Sequence, residues 1–227
     1  MTDSSVSPVV GRVVAVVPVK SLGRAKGRLA PALEPAQRRE LVLAMLSDVL
    51  GALRSARAGG ALGGYAVISR DTEVLGHAAA QGATPLLDRA DDLNDALAQA
   101  AGHYALRGAA GLLVLPADVP LVAPADIARL TKAAGPGVTL APSRDGGTNA
   151  LLVRPPLALP FLFGPSSLAR HLDAARAHGL PATMFRAAGL VLDVDSPDDL
   201  ALLAGAPGET AAQRLVRGIN VMRNCNA

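Results

Sequence analysis

Short aliphatic runs recur along the 227-residue chain, and between them lie longer stretches in which apolar positions return every three or four residues. Runs at 12–19 (RVVAVVPV), 65–69, 83–87, 111–115, 137–141, 149–153 and 189–194 (GLVLDV) read as strands. The stretches 35–54, 71–81, 92–107, 124–134, 166–178 and 197–204 carry the helical period, and several open on a capping signal such as Ser196-Pro197-Asp198-Asp199. The first run is too uniformly apolar to be half exposed, which predicts a central strand. Continuous aliphatic strands separated by helices predict a doubly wound α/β domain, a mainly parallel sheet with helices on both faces. GGALGG at 59–64 falls between a helix and a strand, whereas phosphate loops follow strands, so it reads as a linker. The expected organisation is a disordered N-terminus over 1–11, one domain over 12–205, and a less periodic 206–227 that serves as a C-terminal tail or a dimer contact.

Composition narrows the partners. Lys plus Arg (22) against Asp plus Glu (19) leaves a net charge of only +3, too little for a broad basic surface, and five aromatic residues supply no run of stacking platforms. Nucleic acid is therefore not an expected partner. Cys225 is the only cysteine, which excludes a disulfide framework or a multi-thiolate metal site within one chain and suits a reducing compartment. The first eight residues lack the pattern of a secretory signal, and no run approaches the roughly 18 apolar residues that span a bilayer. The expectation is a soluble, cytoplasmic protein without a membrane partner.

In an open parallel sheet, ligands bind beyond the carboxyl ends of the strands. Three polar stretches fall at such ends. VVAVVPVKSLGRAKGRLAP (13–31) places Lys20, Arg24, Lys26 and Arg28 directly after the central strand, interleaved with Gly23 and Gly27 that let a backbone approach an anion. It is neither a Walker loop nor GxGxxG, yet four cations at that place favour phosphate over a merely solvated turn. LLVLPADVPLV (112–122) holds Asp118 in a proline-stiffened turn, suited either to a Mg²⁺ ion or to backbone N–H groups of the turn itself. GLVLDVDSPDDL (189–200) carries Asp193 and Asp195 two apart; on a strand they share a face and repel unless a cation lies between them, so a metal site with Asp118 is preferred. Ser196 and Asp199 are explained by helix capping, and Asp198 by the helix dipole. PSRDGGTNALLV (142–153) adds a tight Gly146-Gly147 turn with Thr148 and Asn149 behind it, and FGPSSLARH (163–171) adds Gly164, Ser166 and Ser167 before a helix whose N-terminus can receive an anion or simply be capped. His171 is left open between a surface position and a role.

Taken in order, VPVKSLGRAKGRLAP, LNDAL, LPADVPLV, DGGTNALLV, FGPSSLARH and LDVDSPDDL resemble the guanylyltransferases of deazaflavin coenzyme F420 biosynthesis, acting on 2-phospho-L-lactate or phosphoenolpyruvate. The resemblance covers about residues 12–205. It implies the Rossmann-like fold of the nucleotide-diphospho-sugar transferases and a reaction in which GTP and a three-carbon phosphorylated acid give a GMP-linked diphosphate and pyrophosphate, with Mg²⁺. On this reading Lys20, Lys26 and Arg28 hold the triphosphate, and Asp118, Asp193 and Asp195 carry the metal. Asn94 of the LNDAL segment lies near the nucleoside, and Thr148, Gly164 and Ser167 bind the acceptor. Possible partners beyond the substrates are a second copy of the chain and the next enzyme of the pathway, which would receive an unstable product. The rivals are a nucleotidyltransferase for a sugar phosphate or molybdopterin, which needs the loop and Asp118 but not the DGGTN and FGPSS pair, and a non-catalytic nucleotide-binding regulator, which needs no carboxylates at separate strand ends.

Overall fold

A computed structural model describes residues 9–24, 26–132 and 135–225, the last six of these by backbone alone. The central run forms β1 (Val13–Pro18), in which Val13, Ala15 and Val17 enter one apolar layer and Val14 and Val16 the other. A two-residue side-chain period in a strand covered on both faces dictates this division. The remaining strands are β2 (Gly64–Ser69), β3 (Thr84–Leu87), β4 (Gly111–Val114), β5 (Gly137–Pro142), β6 (Thr148–Arg154) and β7 (Ala182–Met184), in the sheet order β3-β2-β1-β4-β6-β5-β7. The pairs of β1 with β2 and β4, β2 with β3, and β5 with β7 are parallel; β6 runs antiparallel to both β4 and β5. The expected mainly parallel, doubly wound architecture is what the chain adopts.

One face carries α1 (Pro35–Ala58), α2 (Thr72–Ala80), α4 (Pro124–Lys132), α6 (Pro197–Gly205) and α7 (Ala211–Cys225); the other carries α3 (Leu93–Ala105) and α5 (Ser167–Ala177). Local chemistry sets their starts. Glu34 and Gln37 close a capping box with Pro35 in the first turn of α1, Asp71 and Asp92 cap α2 and α3, and Ser196 with Asp199 closes the box of α6. No helix among the described residues is long and apolar enough to cross a membrane.

Three expectations need correction. The run at 189–194 is not a strand: Ala188–Leu190 makes a 3-10 turn and the rest continues without ladder pairing, tied by Val194 N–H to the Asp118 carbonyl at 2.9 Å. Its apolar side chains Leu190, Leu192 and Val194 are buried in the α1 layer, which explains the strand-like pattern, but both neighbours of β4 are already β1 and β6. The last strand is instead Ala182–Met184, an edge strand exposed at every position and therefore without an apolar signature. Residues 9–11, expected in a disordered N-terminus, are bridged to the domain through Val10 and Ala109 and through Gly11 N–H to the Gly108 carbonyl at 2.8 Å; residues 1–8 of that segment lie outside the described residues, as do 133–134 at the end of the fourth helical stretch.

The segment after 205 holds a helix rather than only a tail. Ala212, Val216 and Ile219 of α7 are buried in the α1 layer. Thr210 and Gln213 form a capping box, with Gln213 N–H to Thr210 Oγ1 at 3.2 Å and Thr210 N–H to Gln213 Oε1 at 3.0 Å. The carboxylate of Asp48, from α1, receives the next two donors, Ala211 N–H at 2.7 Å and Ala212 N–H at 2.9 Å. Because this carboxylate acts as a cap supplied by another helix, Asp48→Ala should lower stability by about 1–2 kcal/mol and Asp48→Asn by less. Urea denaturation reads it as a shift of midpoint at constant slope; an unchanged midpoint would mean that α7 is held by its apolar face alone.

Candidate active site

The loop after β1 is built to present one cation. Val19 N–H extends the ladder to the Ile68 carbonyl at 3.0 Å, and 3-10 turns at Leu22–Arg24 and Gly27–Leu29 bury Leu22 and Leu29. Asp71 then anchors the loop, accepting from Leu22 N–H at 3.0 Å and Ser21 Oγ at 3.3 Å while it caps α2. The Leu22 N–H bond, foremost, holds the Asp71 carboxyl below its ordinary pKa. Between the two turns stands Lys26, in the left-handed region at φ 54°. Its Nζ donates to Asp118 Oδ2 at 2.8 Å and to Asp195 Oδ1 at 2.5 Å. Burial of the Lys26 side chain works against its charged form, but the two carboxylates outweigh it and raise the pKa above the usual lysine value. Lys20 and Arg28, on the same loop, are exposed, while the ion pairs themselves are part-buried.

Asp118 arrives from the loop after β4, and Asp195 from the segment leading into α6. Asp199 holds that segment, accepting from Asp195 N–H at 3.0 Å, Ser196 N–H at 2.8 Å and Ser196 Oγ at 2.8 Å, and it is paired with Arg144. Asp193 lies beside the pair but has its own partner: Asn149 Nδ2 donates to Asp193 Oδ1 at 3.3 Å and to the Leu190 carbonyl at 3.0 Å. Burial first, then the charge of Asp118, raises the Asp193 pKa against the effect of Asn149. A cation does sit among these acids, but it is Lys26 and it joins Asp118 to Asp195 rather than Asp193 to Asp195. Among the described residues no three His, Cys, Asp or Glu side chains converge as a metal site. The oxygens of Asp118 and Asp195 nonetheless meet within 2.8 Å of one cationic nitrogen, so two hard oxygen donors already converge on a place that a small divalent ion would suit.

A second cluster lies on the same edge of the sheet. Because β6 is antiparallel, its first residues stand beside the carboxyl ends of the parallel strands. Thr148 and Asn149 therefore face opposite sides of the sheet there, Asn149 toward Asp193 and Thr148 toward α5. Ser167 Oγ donates to Thr148 Oγ1 at 3.0 Å, Ser167 N–H donates to the Gly164 carbonyl at 3.1 Å, and Leu168 N–H reaches the Gly146 carbonyl at 3.3 Å. Ser166 does not cap α5 with its side chain; it takes the left-handed conformation at φ 54°, and Gly164 sits at φ 127°. His171 is buried between them, with Nδ1 at 3.3 Å from Thr148 Oγ1 and Nε2 accepting from Leu162 N–H at 2.9 Å. Burial lowers its pKa to about 4.

Thr148, Gly164 and Ser167 are thus one cluster, and Lys26, Asp118 and Asp195 another. Asn94 uses both ends of its amide on Phe163, Nδ2 to the carbonyl at 3.2 Å and Oδ1 from the N–H at 2.7 Å, so it ties α3 to the 163–167 turn. Arg28 is near enough to Asp145 to act on it through charge, although the Ser143 hydroxyl and Gly147 N–H do most to hold that carboxyl below its ordinary range. Sequence reasoning missed Asp71 as the loop anchor and Asn149 as the partner of Asp193; the available signals were the N-cap position of the first and the strand-start position of the second. A cavity of about 640 Å³ bounded by Arg12, Val13, Gly60, Ala110, Lys132 and Arg154 opens at the other end of β1 and β4, away from every expected site residue.

Comparison with known proteins places this geometry in context. Residues 13–224 match the family model described as "Guanylyl transferase CofC like". The phosphoenolpyruvate guanylyltransferase of Roseiflexus sp. (strain RS-1) is 48% identical over 205 residues, 89% of this chain and 90% of that protein. The 2-phospho-L-lactate guanylyltransferase of Methanothermobacter thermautotrophicus is 38% identical over 188 residues, covering 82% and 81%. Among solved structures, a protein of Desulfovibrio desulfuricans G20 described as a nucleotide-diphospho-sugar transferase superposes with a TM-score of 0.74 at 15% identity, over 94% of this chain and 97% of that one. A Mycobacterium tuberculosis H37Rv protein solved in complex with manganese has a TM-score of 0.55 at 20% identity, over 87% and 100%.

Two predictions follow from the charges. In Lys26→Ala the paired carboxylates lose their counter-ion, so stability at pH 8 should fall by about 1–2 kcal/mol after allowance for the partial exposure of both acids. Millimolar Mg²⁺ should restore part of the loss in the variant and shift the parent little; equal thermal shifts in both would show that ammonium and metal do not compete for the same oxygens. The second concerns His171, whose folded pKa of about 4 lies below the ordinary 6.5. The unfolded chain binds a proton there between those values and the folded one does not, so this residue makes stability fall as pH drops from about 6.5 toward about 4. Denaturation of the parent and His171→Asn across that window should show the shallower pH slope in the variant.

Proposed function

Because the chain belongs to the CofC-like guanylyl transferase family, we propose that it transfers the guanylyl group of GTP to the phosphate of phosphoenolpyruvate and releases pyrophosphate. The observation that carries this reading is the Lys26 ammonium held between Asp118 and Asp195, a cation and two carboxylates converging from three loops on the edge of the sheet where nucleotides bind. In the reaction an oxygen of the acceptor phosphate forms a bond to the α-phosphorus, the bond from that phosphorus to the β-bridging oxygen breaks, and its electron pair leaves on pyrophosphate. The attacking oxygen is already ionised, so no general base is required. The barrier lies in bringing two polyanions together and in the charge that spreads over the α-phosphoryl oxygens.

The residues divide this work. Lys26, with Lys20 and Arg28 exposed around it, receives the triphosphate; on leaving the carboxylates, its ammonium turns to the phosphoryl oxygens. Asp118 and Asp195 are the residues that would hold a divalent ion, with Asp193 next to them as a further oxygen donor. Mg²⁺ bound there would supply electrophilic stabilisation of charge shared by both substrates. Thr148, Ser167 and Gly164 hold the three-carbon acid at the turn before α5. Asn94 keeps that turn on α3, a supporting role in place of the expected contact with the nucleoside. The product is a labile diphosphate, and direct passage to the enzyme that consumes it would limit its loss.

The test is release of pyrophosphate from each nucleoside triphosphate with Mg²⁺ and either phosphoenolpyruvate or 2-phospho-L-lactate. GTP with phosphoenolpyruvate should give the highest kcat/KM. Asp118→Asn should lower it by about 100-fold or more, the scale on which loss of a preorganised electrostatic group acts, with folding retained. No pyrophosphate from GTP with either acid would overturn the reading, and a preference for 2-phospho-L-lactate would change the acceptor but not the reaction.

A further inference from the structure

His171 is fully buried and has no direct task in the reaction as described, yet it touches the acceptor cluster through a fixed chain of hydrogen bonds. A main-chain N–H can only donate, so the 2.9 Å bond from Leu162 N–H obliges Nε2 of His171 to carry a lone pair. The single proton of the neutral ring is then on Nδ1. Nδ1–H points at Thr148 Oγ1 3.3 Å away, with the Ser167 carbonyl one turn back as a second acceptor, and Ser167 Oγ donates to the same Thr148 oxygen from 3.0 Å. A hydroxyl oxygen has two lone pairs, and both are committed. What Thr148 retains is its own proton. The Phe163 ring packs against the imidazole at a steep angle with 5.0 Å between centroids, a contact that opposes turning the ring over.

We infer that His171 is a positioning residue that makes the Thr148 hydroxyl a donor only, and so selects for an ionised oxygen of the acceptor over a neutral group presenting N–H or O–H at the same place. The inference rests on the acceptor-binding role proposed above for Thr148. It adds a reason for discrimination: a site that can only donate binds a carboxylate or phosphate oxygen and leaves an amide or hydroxyl hydrogen facing another hydrogen. The low pKa of His171 keeps the ring neutral throughout the neutral range, so the pattern does not switch with pH there.

Two substitutions separate positioning from packing. His171→Asn places an amide N–H near the position of Nδ1 and gives up the bond from Leu162; His171→Gln reaches the position of Nε2 and gives up the donor to Thr148. Both should lower the thermal midpoint. His171→Asn should keep the KM for phosphoenolpyruvate within about threefold of the parent, whereas His171→Gln should raise it about tenfold, each with the KM for GTP within twofold, an expectation scaled to one hydrogen bond with a charged partner. Thr148→Val should raise the same KM in the parent and add little in the His171→Gln background, since both remove one interaction. Equal effects of Asn and Gln, or multiplicative effects of Thr148→Val and His171→Gln, would overturn the inference. Calorimetric titration of phosphoenolpyruvate into the parent and the variants runs alongside. If the parent binds the acid but releases no pyrophosphate, the function reading fails, and the order of affinities still decides the role of His171. If the parent does not bind it, both fail.

Discussion

The site depends on one arrangement: a buried ammonium shared by two carboxylates that come from 92 and 169 residues further along the chain. Neither acid could approach the other closely without it, because like charges in a partly desolvated place repel. The ion pairs are not a source of large net stability. Each charge-assisted hydrogen bond is worth about 1.5–3 kcal/mol, but taking the ammonium out of water costs several kcal/mol in return. What they fix is position. Val194 N–H on the Asp118 carbonyl and Asp195 N–H on Asp199 hold the two acid-bearing backbones in place, and Asp71 holds the lysine-bearing loop. Such a near balance suits the exchange proposed above, in which the ammonium would leave for phosphate oxygens and the two carboxylates would be free to take a metal.

Local strain points to the same places. Among the described residues the non-glycine positions with positive φ are Lys26 and Ser166, one in each half of the site. A left-handed conformation at such a residue costs about 1–3 kcal/mol and persists only where its surroundings determine it. Around Lys26 the determinants are the buried Leu22 and Leu29 on either side; around Ser166 they are Asn94 on Phe163 and Leu168 N–H on the Gly146 carbonyl. In both cases the strained residue marks the point where a strand-derived loop turns into a helical turn, and the turn aims a side chain into its cluster: Lys26 itself in the first, Ser167 in the second.

Most of this was legible in the sequence for a physical reason. Strands buried on both faces must be uniformly apolar, so β1, β4 and β6 announce themselves, and their ends locate the polar stretches that carry Lys26, Asp118 and Thr148. The exposed β7 carries no such signal, and GLVLDV imitates a strand because alternate side chains are buried there without a partner ladder. Spacing brought Asp193 and Asp195 to one place but could not assign their partners. Those come from Asn149 and Lys26, side chains whose directions depend on the reversed course of β6 and on a left-handed residue, and neither is written in residue spacing.

The reversal of β6 accounts for the coupling between the two halves of the site. In a wholly parallel sheet a strand beside β4 would present its last residues at this edge and hand over to a loop. Here β6 presents its first two residues, and because neighbours along a strand face opposite sides, Thr148 and Asn149 enter different clusters while sharing one peptide link. Asn149 fixes Asp193 beside the acid pair; Thr148 joins Ser167 and His171 at the start of α5. A rigid central strand therefore sets the spacing between the Lys26–Asp118–Asp195 cluster, proposed above for nucleotide and metal, and the Thr148–Ser167–His171 cluster, proposed for the acceptor. Transfer between two bound phosphates is sensitive to misplacement on the scale of an ångström, and a strand paired on both sides is the least compliant element from which that distance can be set.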